Sequence, residues 1–215
     1  MPFSEATVDF LTDLRANNTS DWFGANRKIY ETDVRDAAKW FSAEVVRMLE
    51  EKLDAPHRAR IFRINRDLRF AKDKTPYNTH VHMAFMKGDG EKDGPALMLG
   101  LEPGKLTFGA GIMQFAPGRL ARWRDFVSGE GGERVVAALN ALEGLGARVP
   151  KPDLKKVPAP FPQDHRAADL LKRKGLTVWI DQEDVTPALG ADGPENCVDR
   201  LIVFAPIVEL LGEIE

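Results

Sequence analysis

From Arg63 to Tyr77 the chain reads Arg63-Ile64-Asn65-Arg66-Asp67-Leu68-Arg69-Phe70-Ala71-Lys72-Asp73-Lys74-Thr75-Pro76-Tyr77, a run dense in groups that recognise anions. The wider window from Arg58 to Tyr77 holds five arginines and two lysines against two acids, Asp67 and Asp73, for a net charge of +5. The remaining residues carry 23 basic and 31 acidic side chains, net −8. Guanidinium groups gathered this closely in an otherwise acidic chain call for a bound anion or an ion-pair network to offset their repulsion. Arginine grips phosphate or carboxylate through two parallel N–H donors, lysine adds a point charge, and tyrosine can hydrogen-bond or stack. The candidate ligand-binding residues are therefore Arg63, Arg66, Arg69, Lys72, Lys74 and His80. The candidate catalytic residues are Asp67, as an orienting group or base, and Tyr77, as a donor.

Each of these groups has a bland reading as well. Sheets often keep one face solvated, where cross-strand charge pairs contribute little. Arg66 falls among apolar neighbours and reads as structural, paired with an acid from a helix, because a buried and unpaired guanidinium is costly. His80-x-His82 places two imidazoles on one strand face, an arrangement that can hold a metal. No HExxH motif or cysteine pair supports that use, so no metal is assigned. Gly109-Ala110-Gly111 lacks the spacing of a dinucleotide loop and reads as sheet geometry. No GxSxG, Walker or CxxC motif is present. No cofactor follows from these residues.

The elements that must position the cluster are legible in the periodicity. Ser4 can cap a first helix carrying Val8, Leu11 and Leu14, with Asn17-Asn18 closing it in the left-handed conformation. Thr19 or Ser20 caps a second, longer helix, on which Phe23, Tyr30, Val34, Ala37, Phe41, Val45 and Met48 recur near the 3.6 period. Trp22 and Trp40 sit beside that stripe as core anchors. From Arg60 to Phe70 the pattern alternates as a strand, with Phe62, Ile64, Leu68 and Phe70 on one face and Arg63, Asn65, Asp67 and Arg69 on the other. Lys72 to Asn78 reads as a loop, followed by a strand with Val81, Met83 and Phe85 opposite His80, His82 and Ala84. Two more strands follow, through Leu97–Leu101 and Leu106–Ile112. Pro103-Gly104 between them suits a type II turn. Paired in order, these strands bring His80 and His82 beside Arg63, Asn65, Asp67 and Arg69. Thr107, Gly109 and Gly111 would share that face, the glycines leaving room for a ligand.

The second half is mainly helical. Leu120 to Val127 and Val135 to Leu142 fit two helices. The five prolines between Pro150 and Pro162 predict an extended strap. Asp164 is placed to cap a short helix through Leu171, Leu176–Ile180 reads as a fifth strand, and Val198–Leu211 as a closing helix. The expected fold is α+β, one domain over residues 1–215, with an antiparallel meander of four to five strands flanked by N-terminal and C-terminal helices.

The segment Arg63-x-x-Arg66-Asp67-x-Arg69-Phe70-x-x-x-Lys74-x-Pro76-Tyr77 resembles the signature of a bacterial family, domain of unknown function 2461. The resemblance extends to Phe10-Leu11, Asn17-Asn18 and Trp22-Phe23, to Leu101-Glu102-Pro103 and Phe108–Gly111, and to Pro162 through Leu171. It implies membership of an uncharacterised family and brings no reaction with it. Lys72 and the histidines lie outside the defining pattern.

Composition narrows the partners. A 215-residue chain with 43% apolar residues can bury a sizeable core. Net charge −3 argues against a general nucleic-acid coat protein, though a local basic site could still meet phosphates. The lone cysteine, Cys197, reads as a small buried hydrophobe in a reducing compartment. No apolar run is long enough for a membrane span, and no signal peptide opens the chain, so a cytoplasmic location is expected. An anionic small molecule, phosphorylated or carboxylated, or a nucleotide, is the expected partner. The alternatives are an interaction domain whose arginines form an ion-pair network, and a nucleic-acid-associated protein. No residue pattern in the chain implies an oligomeric state.

Overall fold

The alternating segments fold as a five-stranded antiparallel sheet whose spatial order follows the chain: β1 (His57–Ile61), β2 (Val81–Lys87), β3 (Ala96–Glu102), β4 (Lys105–Ile112) and β5 (Leu176–Gln182). This computed structural model describes residues 1–88 and 94–214. With helices before and after the strands, the α+β meander is the architecture that the periodicity predicts. Gly104 adopts φ +79° between β3 and β4, the positive value that the Pro103-Gly104 turn requires.

Contacts divide the chain into two compact units. One comprises Met1–Gly88, Met98–Thr107 and Asp181–Arg200. The other comprises residues 94–97, Phe108–Ile180 and 201–214.

In the first unit, α1 (Glu5–Ala16) starts at Ser4, whose N–H donates to the Thr7 hydroxyl at 3.1 Å. Thr7 in turn donates to the Asp33 carbonyl at 2.6 Å, so α1 buries Thr7, Phe10, Leu11 and Leu14 while Val8 stays only half-buried. Asn17 closes α1 with φ −129°, not in the left-handed conformation expected. Its side chain donates to the Asp13 carbonyl at 2.9 Å and satisfies the helix end another way.

The long second helix is interrupted. Thr19 caps α2 (Ser20–Ala25), and the Asn26 side chain donates to the Trp22 carbonyl. Then come α3 (Arg27–Ile29), a π-helical stretch Tyr30–Asp36, and α4 (Ala37–Leu53). The stripe inside α4 is Ala37, Phe41, Val45 and Leu49, and α4 packs against β1. Trp22 and Trp40 are half-buried, so neither is a fully enclosed anchor. The largest enclosed rings include Phe3 and Phe41, with centroids 4.7 Å apart. Cys197, on α8 (Gly193–Leu201), is buried, and that burial pushes its thiol up to about 12.

In the second unit, α5 (Pro117–Ser128) opens with a proline in its first turn and buries Trp123, whose indole donates to the Leu170 carbonyl at 3.1 Å. It packs on α6 (Glu130–Glu143). The proline-rich strap is pinned to residues 172–174 at three points. Leu154 N–H bonds the Lys172 carbonyl at 2.9 Å, Arg173 bonds the Pro150 carbonyl at 2.6 Å, and Lys174 N–H bonds Asp153 at 2.7 Å. Ala167, not Asp164, stands at the cap of α7 (Ala168–Leu171), where its N–H donates to the His165 ring. The expected closing helix is broken: α8 gives way to a 3-10 turn at Ile202–Phe204, and α9 (Ala205–Gly212) restarts with Pro206, which cannot donate to a continuing helix. Among the described residues no helix is long and apolar enough to cross a membrane.

Candidate functional site

The site begins with the register of β1 on β2. His57 stands opposite Lys87, Arg60 opposite Ala84 and Ile61 opposite Met83. Phe62 N–H carries the register one step further by donating to the His82 carbonyl at 2.9 Å. Paired residues share a sheet face, so Arg60 and Phe62 lie with His82, and Ile61 lies with buried Met83. This corrects the sequence reading, which placed Phe62 on the apolar face.

β1 also ends at Ile61 rather than at Phe70. Beyond it the pairing thins to a single bridge, Asn65 with Tyr77, flanked by Arg66 N–H to the Pro76 carbonyl and Asn78 N–H to the Ile64 carbonyl. The cause is local competition for the backbone. Asp67 accepts the Arg69 N–H at 3.1 Å and Asp73 accepts the Thr75 N–H at 2.9 Å, two turns that curl the chain out of a ladder. Pro76 brings no N–H at all. Ile64 alone of this stretch is buried.

Between the end of β1 and the start of β2 lies a hollow of about 740 Å³. Arg60, Ile61, Phe62, Arg63, Asn65, Arg66 and Asp67 line it from the first stretch, and Asn78, His80 and His82 from the second. The Arg60 guanidinium lies 4.8 Å from the centre of the Phe62 ring. Among the described residues, neither Arg60 nor Arg63 forms a salt bridge, although the charge of Arg63 acts on Asp67 in the same lining. The other guanidiniums of the motif are tied. Arg66 reaches Asp73 at 2.6 Å, the Thr75 carbonyl at 3.0 Å and the Thr75 hydroxyl. Its acid comes from the loop rather than from a helix. The Thr75 N–H, then Arg66 and the Thr75 hydroxyl, hold the Asp73 carboxyl down to about 2. Arg69 is not part of the lining and grips Asp67 at 2.6 Å. That side-chain bond, followed by the Arg69 N–H, keeps Asp67 below the usual carboxylate range.

His80 and His82 stack with ring centroids 3.7 Å apart. His82 as a residue is exposed, yet its ring presses on His80 and on the backbone of β3. Gly100 permits this: a Cβ there would stand 2.9 Å from the His82 ring. That crowding, with the neighbouring His80 charge, pushes His82 down to about 4. Burial also lowers His80, against the opposing pull of Glu102. Both rings are neutral near pH 7, each offering one donor and one acceptor.

Arg63, Arg66, Asp67 and His80 are thus brought to one hollow, and the remaining candidates are not. Lys72 is exposed outside it, and Lys74 donates to the Leu68 carbonyl at 3.0 Å, closing the loop. Tyr77 stacks on Phe23 at 4.1 Å and lines a second hollow of about 460 Å³ with Arg15, Asn18 and Thr75. Asp67 and Tyr77 therefore open on different hollows, separated by Arg66, Asn78 and His80, which line both. Asn18 holds Tyr77 in place: its amide donates to the Tyr77 carbonyl at 2.9 Å and accepts the Tyr77 N–H at 3.1 Å. The room expected over Gly109 and Gly111 is taken by β5, through Trp179 at Gly109 and the Leu176 backbone at Gly111.

Arg60, Ile61 and Asn78 are lining residues that the sequence reading did not name as candidates. Arg60 shares strand parity with Phe62, and that was the available signal. Among the described residues no three His, Cys, Asp or Glu side chains converge as a metal would need. No curated protein matches this chain. The family model for a conserved hypothetical protein (DUF2461) matches residues 6–209, and with nearly its whole length covered the chain belongs to that family.

Proposed function

We propose that the protein binds an anionic small molecule, phosphorylated or carboxylated, in the hollow between the end of β1 and the start of β2. The observation that carries this is the pair Arg60 and Arg63, two guanidiniums lining one concavity with no salt bridge to a carboxylate among the described residues, the charge of Arg63 reaching Asp67 only through space. Two like charges facing a shared space are offset best by an anion that accepts from both, in the bidentate manner that guanidinium favours. The neutral imidazoles and the Asn65 and Asn78 amides complete the polar lining. Asp67 acts here as the anchor of Arg69. Its lowered carboxyl makes it a poor proton acceptor, because a general base works best with a pKa near the working pH. The ion-pair-network reading is favoured only for Arg66 and Arg69, whose partners are loop carboxylates.

The test is a thermal-shift screen of inorganic phosphate, nucleotides and small carboxylates, run on the wild type, Arg60→Ala and Arg63→Ala. A ligand that prefers the folded form raises the melting temperature. At least one anion should do so for the wild type and lose most of its effect in Arg63→Ala. A panel that leaves the wild type unmoved, or moves the variants equally, would sink the proposal.

A further inference from the structure

The hollow has more room and more variety than a bare anion requires. Its volume, about 740 Å³, falls among sites that enclose whole metabolites, roughly 300–1,000 Å³. Its lining is also not uniformly charged. Phe62 is 45% exposed in the wall, an aromatic ring left open beside polar groups. The Arg60 guanidinium lies over one side of that ring, 4.8 Å from its centre, and the ring's exposed part is the kind of surface on which an unpaired base stacks. The Asn65 side chain makes no hydrogen bond among the described residues, so its amide offers both donors and an acceptor to the edge of a planar heterocycle. Asn78 spends one donor on the Arg63 carbonyl at 3.3 Å and keeps its acceptor. His80 and His82 add one donor and one acceptor each.

The geometry points to a nucleoside monophosphate as the ligand class, with its phosphate on Arg60 and Arg63, its base against the exposed part of Phe62 and the base edge read by Asn65. This deepens the anion-site proposal and rests on it. A sugar phosphate would use only the arginine end. A carboxylate metabolite without a ring would leave Phe62 and the amides idle.

The experiment is equilibrium titration of the full chain with the four ribonucleoside 5′-monophosphates, ribose 5-phosphate and inorganic phosphate, on the wild type, Phe62→Leu, Phe62→Tyr and Arg63→Ala. At least one nucleotide should bind about tenfold or more tightly than ribose 5-phosphate, the scale of one base stacked on an aromatic ring. Phe62→Leu, which keeps apolar volume but removes the π face, should shrink that ratio to within about twofold, and Phe62→Tyr should retain it. Arg63→Ala should weaken nucleotide and sugar phosphate together. If ribose 5-phosphate binds as well as every nucleotide, the base contact is overturned while the anion site stands. If no phosphate binds the wild type, the nucleotide assignment is overturned, and if the small carboxylates of the thermal-shift screen also leave it unmoved, the anion site falls with it.

Discussion

In the loop from Asp67 to Thr75 two basic side chains, Arg69 and Lys74, fold back on the loop itself, while Lys72 stays exposed. Arg69 grips Asp67, Lys74 bonds the Leu68 carbonyl, and Arg66 reaches in to Asp73 and Thr75. A few residues earlier, Arg60 and Arg63 line the hollow with no salt bridge among the described residues, and Asp67 in the same lining is held by Arg69. Both stretches belong to one basic window, yet the first is electrostatically closed and the second open. The difference shows that a cluster of arginines in sequence is not one functional object. The loop carboxylates Asp67 and Asp73 are captured by Arg69 and Arg66, which leaves the guanidiniums at the strand end without a salt bridge among the described residues.

The contrast can be broken most directly at Arg63. Arg63→Ala should weaken phosphate binding by about 10- to 100-fold, the scale of one lost charge-assisted hydrogen bond, and leave the melting temperature nearly unchanged. Equilibrium titration beside a melting curve reads both. Arg66→Ala should behave in the opposite way, lowering the melting temperature by about 2–4 °C because the Thr75 carbonyl and Asp73 lose their shared donor. Arg66→Lys should restore only part of it, since an ammonium cannot span the same fork.

A pH titration sharpens the picture of the opposite wall. His82 sits at about 4 in the folded chain against an ordinary 6.5, so the unfolded chain binds more protons between those values. Stability should therefore be fully present above pH 6.5 and decline as the pH falls toward 4, and His82→Gln should flatten that slope. A phosphate in the hollow should raise the His82 value, because an anion favours the imidazolium, and NMR titration of the ring with and without phosphate reads the shift. The smallest effect is expected at Arg69. Arg69→Ala removes an exposed pair and should change phosphate affinity by less than about twofold. A loss comparable to that of Arg63→Ala would erase the distinction between the open and closed stretches.

Much of the architecture was readable before any coordinates. The strands β2, β3, β4 and β5, the turn at Gly104, the strap and the two helices after β4 all follow from period, proline and glycine, which act within a few residues. Helix interruptions were less legible. The π-helical stretch at Tyr30–Asp36 contains the Asp33 carbonyl that Thr7 takes from a different helix, and no local pattern announces such a contact.

The amino-acid order was enough to show where the basic groups concentrate and that the segments around them are extended. It could not show which arginines remain open. That depended on β1 stopping at Ile61, on the register that sets Phe62 against His82, and on Gly109 being covered by Trp179. A one-residue slip in pairing exchanges every side chain between the two faces of a sheet without altering the alternation along either strand. Face, neighbour and free space are therefore properties of the assembled chain, and only the tertiary structure decided them.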